Sequence, residues 1–258
     1  MGTYVVTGGA TGIGAAIKDG LRAAGHEVFV VDIKDRDIHA DLSTPEGREA
    51  AIEEIRDRAP DGLDGLVTSA GVGAHLADVT EIVRINYFGT VDLVVGLEDL
   101  IAKKHGAIVL VSSESAFNPG FDEEFLKALS DHDEAAACAR IEALDGIMRG
   151  YVAYGGGKAA IVHWMRHRTA ALAAKQIRIN AIAPGYTETS LTDDAKSSAF
   201  GEVMEEFAKS IPLGRPGQPE DMANGALFLL SEQASFVTDS TLHIDGGHDA
   251  IQRPDRVA

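Results

Sequence analysis

The stretch YVVTGGATGIG, residues 4–14, constrains the fold more than any other part of the chain. Tyr4, Val5 and Val6 make the short apolar run of a buried parallel strand. Glycines follow at 8, 9, 12 and 14, and a helix starts near Gly12. Gly8 lets the chain turn sharply after the strand. Gly12 leaves no Cβ between the backbone and a pyrophosphate, and Gly14 lets the helix lie close on the strand. The free N–H groups and positive end of that helix would face the phosphates. A glycine-rich turn fixed between strand and helix in this way predicts dinucleotide binding.

The same rhythm continues downstream. A helix over 13–24 is closed by Gly25, a strand covers 27–32, and a short strand near 37–40 leads to Asp41. Ser43 or Thr44 caps a helix near 45–58, with Pro45 in its first turn. Strands are expected at 65–69, 107–111, 178–183 and 241–245, and helices at 82–100, 152–175 and 218–231. Strands alternating with helices predict an α/β fold: a Rossmann-type, doubly wound parallel sheet of about seven strands with ligands at the strand C-terminal edge. No linker, repeat or low-complexity segment interrupts residues 1–258, so one domain is expected.

Composition narrows the partners. The chain carries 23 Lys and Arg against 40 Asp and Glu, a formal net charge of −17. Such a surface repels nucleic-acid phosphate and anionic membrane, so neither partner is expected. With the single Cys138 there is no internal disulfide and no cysteine-rich metal site. His163 and His167 share a helix face but lack a companion carboxylate at ligand spacing, so no metal is expected. No signal-like start and no run of 18 apolar residues is present, which predicts a cytoplasmic protein.

The spacing T-G-x-x-x-G-I-G, Thr7 to Gly14, resembles the short-chain dehydrogenase/reductase family, and motifs match from residue 3 to about 247. Asp32 ends the second strand, where a carboxylate accepts hydrogen bonds from the adenosine ribose and repels a 2′-phosphate, so the expected cofactor is NAD. The resemblance implies a cofactor site formed by Gly8, Thr11, Gly12, Ile13, Gly14, Asp32, Asp41, Leu42, Ala70, Gly71, Pro184, Gly185, Thr187 and Thr189, together with Tyr154 and Lys158. The family's N-N-A-G stretch is replaced here by Thr68-Ser69-Ala70-Gly71.

Hydride transfer to a carbonyl needs a proton donor for the developing alkoxide. Tyr154 and Lys158 lie four apart on one helix face, and a neighbouring lysine favours the phenolate. The family's Y-x-x-x-K pair implies Tyr154 as general acid/base, with Lys158 tuning it and holding the nicotinamide ribose. By the same resemblance, Ser113 polarises the substrate carbonyl and Asn86 holds a relay water. Ser112 and Ser115 flank Ser113. Tyr151 is the competing donor, because enoyl reductases of the superfamily use a tyrosine further from the lysine. The glycines at 155–157 each cost about 1 kcal/mol inside a helix, which predicts close approach of another backbone, a cofactor or a subunit helix.

Forty residues separate Ser113 from Tyr154, many more than the family usually has. The extra segment falls within 118–150, and DEEFLKAL and EAAACARIEAL in it show helical spacing. Two expectations compete: a surface decoration, or a block on one usual subunit contact that gives a homodimer rather than a tetramer. The insertion, V-R-I-N-Y-F-G and the ending I-D-G-G-H-D-A-I-Q-R-P resemble the branch of bacterial hydroxysteroid dehydrogenases/carbonyl reductases and coniferyl-type aromatic-alcohol dehydrogenases. That resemblance implies a neutral, largely apolar alcohol or carbonyl substrate. A sugar or polyol dehydrogenase and a dinucleotide sensor without turnover are the alternatives. A lid is expected over 188–214, with Phe200, Met204, Phe207 and Ile211 at near-helical spacing, or else a packed helix pair.

Overall fold

Seven parallel strands form one sheet in the order β3-β2-β1-β4-β5-β6-β7. The computed structural model describes residues 1–146, 148–198 and 201–255. The strands are β1 Thr3–Thr7, β2 Glu27–Asp32, β3 Ile38–His39, β4 Gly65–Thr68, β5 Ala107–Val111, β6 Arg178–Pro184 and β7 Thr241–Ile244. The helices are α1 Gly12–Ala23, α2 Pro45–Arg58, α3 Val79–Val83, α4 Gly89–Ala102, α5 Glu123–Ser130, α6 Glu134–Glu142, α7 Met148–Tyr151, α8 Gly157–Ala173, α9 Ser190–Lys196, α10 Gly201–Ser210, α11 Pro219–Leu230 and α12 His248–Gln252. The strand order reverses beside β1, so the C-terminal ends of β1 and β4 flank a switch point where α/β sheets bind ligands.

Alternation along each strand sends neighbouring side chains to opposite faces. Val6, Val67, Val109 and Ile182 pack with Ile17 and Leu21 of α1 and with Met222, Ala226 and Leu229 of α11. Val5, Leu66, Ile108 and Leu110 pack with Ala51 and Ile55 of α2, Leu93 and Leu97 of α4, and Ile161 and Met165 of α8. Thr44 caps α2 by accepting from the Gly47 amide at 3.0 Å, with Pro45 at the first turn.

Two long helices carry internal π turns. Arg84–Phe88 joins α3 to α4, and Val152–Gly156 joins α7 to α8. Single π turns inside α-helices cluster at functional sites. Here one holds Asn86 and the other holds Tyr154.

The insertion folds as expected into α5 and α6, each started by an aspartate. Asp122 accepts from the Phe125 amide, and Asp133 from that of Ala136. It is not a surface decoration. Phe125, Leu129, Ala137 and Ile141 are fully buried members of the larger core, and a buried side chain of Phe or Leu size contributes roughly 1.5–3 kcal/mol. The Tyr87 hydroxyl donates to the Leu129 carbonyl at 2.7 Å. Buried Arg48 of α2 pairs with Asp92 of α4 at 2.8 Å and with Glu134 at 2.5 Å. That pair clips the insertion to the body.

The insertion also explains two of the three glycines at 155–157. A Cβ on Gly155 would lie 2.7 Å from the Phe121 ring, and one on Gly156 would lie 3.1 Å from the Phe125 ring. At Gly155 and Gly156 the close approach is thus made by aromatic side chains of the insertion, with the Ser115 carbonyl 3.4 Å from the Gly155 position. The segment expected to form a lid holds α9 and α10, and α10 has no buried residue. Phe200 lies outside the described residues.

Candidate active site

The glycine-rich turn has the shape its sequence implies. Gly8 has φ +67°, and a Cβ there would sit 2.6 Å from the Ala70 backbone. A Cβ on Gly14 would sit 2.2 Å from the Gly8 carbonyl oxygen. Gly12 has φ +56°, and only the Thr189 side chain comes near its missing Cβ, at 3.4 Å. The turn is thus packed at Gly8 and Gly14 and open at Gly12. Thr11, the N-cap of α1, makes no side-chain cap bond, and the first-turn N–H groups, Ile13 included, have no intrahelical acceptor. A cradle with unpaired donors at a helix N-terminus fits a dinucleotide pyrophosphate.

Asp32 has a second task beside the one expected. Its Oδ2 accepts from the Ala10 amide at 3.1 Å, and its Oδ1 accepts from Ile33 at 2.7 Å and Lys34 at 3.1 Å. A carboxylate offers about four acceptor sites, so it can tie the glycine turn to the end of β2 and still take a ribose hydroxyl. Asp41 is held by Ser43, whose hydroxyl and amide both donate to it, and these bonds keep its carboxyl below the usual range. Leu42 is buried against Gly89. Ala70 donates its amide to Thr7 Oγ1 at 3.0 Å. Past β6, Thr187 donates to the Gly185 carbonyl, Pro184 ends the strand, and Thr189 caps α9 through the Thr192 amide.

The four candidate catalytic side chains gather at the ends of β4 and β5. Ser113 follows β5, and its hydroxyl acts on neighbouring Tyr154. Burial pushes the Tyr154 hydroxyl above its ordinary pKa, and the neighbouring Ser113 hydroxyl opposes that. Lys158 is buried, its Nζ donates to the Val111 carbonyl at 2.7 Å, and burial depresses it to about 8. The causes that shift Tyr154 are its burial first and Ser113 second. Asn86 is buried, with its Oδ1 accepting from the Val72 amide at 2.9 Å and its Nδ2 donating to the Val72 carbonyl at 3.0 Å. Its side chain is spent on clamping the loop after β4, so no side-chain contact to a relay water is needed to explain its placement. A Cβ on Gly71 would lie 3.1 Å from Asn86 Oδ1 and 3.7 Å from Lys158 Nζ, which brings these three residues together.

The comparisons with known proteins bear on this geometry. The short chain dehydrogenase profile matches residues 3–124, and a profile described as enoyl-(acyl carrier protein) reductase matches residues 123–249. The chain is 40% identical, over 98% of its length and 99% of the relative's, to a 3-alpha-hydroxysteroid dehydrogenase/carbonyl reductase of Comamonas testosteroni. It belongs to the short-chain dehydrogenase/reductase family. The crystal structure of the 3-alpha-hydroxysteroid dehydrogenase from Pseudomonas sp. B-0831 complexed with NADH superposes with a TM-score of 0.93 at 39% identity, over 99% of this chain and 100% of that one. An NAD-dependent glycerol dehydrogenase of Listeria innocua is 32% identical over 95% of this chain and 92% of that protein. As a short-chain dehydrogenase/reductase, the chain is an oxidoreductase that uses a nicotinamide dinucleotide.

Within this short-chain dehydrogenase/reductase, the flanking serines separate by partner. Ser112 donates to the Lys158 carbonyl at 3.1 Å and anchors the tyrosine helix. Ser115 donates its hydroxyl to Ser113 Oγ at 2.9 Å and its amide to the same atom at 3.2 Å. Tyr151 packs its ring against Phe121, 5.8 Å between centroids, while Ser113 influences Tyr154. Sequence reasoning missed a buried cluster beside Ser113. Glu114 Oε1 lies 2.6 Å from His248 Nδ1 and 3.5 Å from Arg253, and Arg253 also donates to Asn118 at 2.8 Å. No local spacing links residues 134 apart. Among the described residues, no group of three His, Cys, Asp or Glu is placed to hold a metal, and no helix is long and apolar enough to cross a membrane.

Proposed function

We propose that the chain interconverts a secondary or aromatic alcohol and its carbonyl with NAD as cofactor, through Tyr154 as general acid/base. The observation that carries the reading is the placement of Ser113 beside Tyr154, with Lys158 buried on the same helix and the open glycine cradle next to them. Gly12, the α1 N-terminus and Asp32 would hold the cofactor's pyrophosphate and adenosine ribose. Asp32 favours NAD, because a 2′-phosphate would meet its carboxylate. Bound nicotinamide supplies a hydride acceptor for alcohol oxidation and a hydride donor for carbonyl reduction.

The residues handle the proton and the oxygen. In reduction, Tyr154 donates its hydroxyl proton to the oxygen that becomes an alkoxide, and Ser113 stabilises the phenolate left behind. In oxidation, Tyr154 phenolate takes the proton from the alcohol. Lys158 is placed between Gly71 and Val111, where the nicotinamide ribose is expected. A neutral, largely apolar substrate such as a 3α-hydroxysteroid accords with the 40% identical relative's name, and a coniferyl-type alcohol rests on the sequence resemblance.

The test follows absorbance at 340 nm with NAD and NADP in parallel, across steroids, aromatic alcohols and polyols. The expected result is turnover with NAD that Tyr154→Phe lowers by at least about a thousandfold. Better turnover with NADP would overturn the Asp32 argument, and full activity in Tyr154→Phe would overturn the mechanism.

A further inference from the structure

The residue after Ser113 is a buried carboxylate that the proton transfer does not use. Glu114 has 7% of its side chain exposed and His248 has 9%. Glu114 Oε2 is buried with no hydrogen-bond partner. Leaving such an atom unpaired loses stability. Burial pushes the Glu114 carboxyl up, with the His248 imidazole opposing, Asp245 adding to the rise and Arg253 lowering it. An arrangement that loses stability beside a candidate nucleotide site is a candidate for function.

The contacts run outward from Ser113 to α10. Glu114 holds His248 at the start of α12. The His248 ring stacks on Phe207 of α10, 4.3 Å between centroids at 39°. Phe207 meets Tyr186 edge-on at 5.6 Å, and Tyr186 sits between Gly185 and Thr187 of the expected nicotinamide loop. The rest of the α10 end leans on the same turn. Ile211 lies where a Cβ on Gly246 would be, at 2.6 Å, and Pro212 is 3.3 Å from that of Gly247. Because α10 buries no residue fully, Phe207 is its aromatic anchor, and that anchor rests on the imidazole Glu114 holds. Arg253 joins the same hub to Asn118 at the start of the insertion.

We infer that Glu114 and His248 are positioning residues that make the placement of Ser113 depend on whether α10 is seated. The inference rests on the reading of Ser113 as a catalytic side chain. When α10 is seated, Phe207 fixes the imidazole, the imidazole fixes Glu114, and the turn 114–117 that begins at Ser113 is held. When α10 lifts, the imidazole loses one wall and the serine turn loosens. Proton transfer would then be matched to a covered site, where water is excluded.

The test has one arm that needs no substrate. Amide hydrogen exchange is followed on the full chain at Ser115, Ala116 and Asn118, which donate to Ser113 Oγ, the Ser113 carbonyl and the Ser115 carbonyl. Phe207→Ala is expected to speed exchange there by about threefold or more. Val203→Ala, at an α10 position 60% exposed, should leave it unchanged. In a Glu114→Gln background, Phe207→Ala should add nothing further. Unchanged exchange in Phe207→Ala, equal effects of Val203→Ala, or additive effects of the pair would each overturn the inference. His248→Gln replaces Glu114→Gln in the cycle should the latter not fold. The second arm is kinetic: Phe207→Ala should lower kcat in the native background and only raise KM in the Glu114→Gln background. A native enzyme that turned over no alcohol would sink the proposed reaction, while the exchange arm would still decide the coupling.

Discussion

A serine hydroxyl has one proton to give and two lone pairs to receive. Both lone pairs of Ser113 are taken by Ser115, through its amide at 3.2 Å and its hydroxyl at 2.9 Å. The Ser113 proton is therefore left free to turn toward Tyr154, and Ser113 lowers the tyrosine against the larger effect of its burial. The sign of the pH dependence follows. With Tyr154 raised overall, it is protonated at neutral pH, so it is ready as an acid for reduction. Oxidation needs the phenolate and should rise with pH. In Ser115→Ala one lone pair is freed and the Ser113 proton loses its fixed direction. The rise in oxidation kcat/KM should then move up by roughly half a unit to one unit, which is about three- to tenfold in rate below the transition. Ser115→Thr keeps the hydroxyl and should keep the native profile. A Ser115→Ala profile that superposes on the native one would refute this. Glycines 8, 12 and 14, Asp32, Tyr154 and Lys158 were legible in the sequence because each serves a backbone shape or a spacing. Ser115 was not, because a hydroxyl that orients another hydroxyl leaves no spacing of its own.

At the scale of elements, the tyrosine helix depends on the insertion for its packing. Gly155 and Gly156 leave room for the Phe121 and Phe125 rings, but nothing lies within 4 Å of a Cβ on Gly157. The three glycines should therefore respond differently to alanine. Gly157→Ala gains helix propensity and meets no neighbour, so it should stabilise the fold by about 0.5–1 kcal/mol. Gly155→Ala gains the same propensity but places a methyl 2.7 Å from the Phe121 ring, and overpacking of that kind costs about 1–3 kcal/mol. Its net effect should be a loss of about 1 kcal/mol, partly reversed by Phe121→Leu. Urea unfolding midpoints check both. Equal shifts for Gly155→Ala and Gly157→Ala would show that the rings do not set the spacing. The helices α5 and α6 were readable from apolar spacing and their leading aspartates. Their partner was not, because periodicity gives the buried face of a helix and not what covers it. The π turns at Asn86 and Tyr154 likewise escaped a pattern that assumes a uniform helical period.

For the whole molecule, the parallel sheet was legible because each strand–turn–helix unit is local and the crossovers have one hand. The hub at α12 was not, since Glu114 and His248 meet only after the sheet has formed. The placement of the insertion bears on assembly. Phe125, Leu129 and Ile141 pack into the core shared with α8, and Arg48 and Glu134 fasten the insertion to α2. Its bulk thus stands on the side of the sheet that carries α4 and α8. The other end of the sheet is different. Among the described residues β7 has no strand beyond it, and Leu242 on it, Phe228 on α11 and Phe236 between them are 38%, 41% and 103% exposed. A sheet edge beside exposed apolar side chains needs a cover. A two-fold pairing of β7 and α11 supplies one with a closed symmetry. The expected solution species is therefore a dimer, with a light-scattering mass twice the 27.2 kDa chain. Phe228→Glu combined with Leu242→Lys should give the monomer with the circular dichroism of the native protein. A mass of four subunits would show that the insertion leaves the α4–α8 side open to pairing. A native monomer would show that the β7 edge stays uncovered, and either result would overturn the dimer.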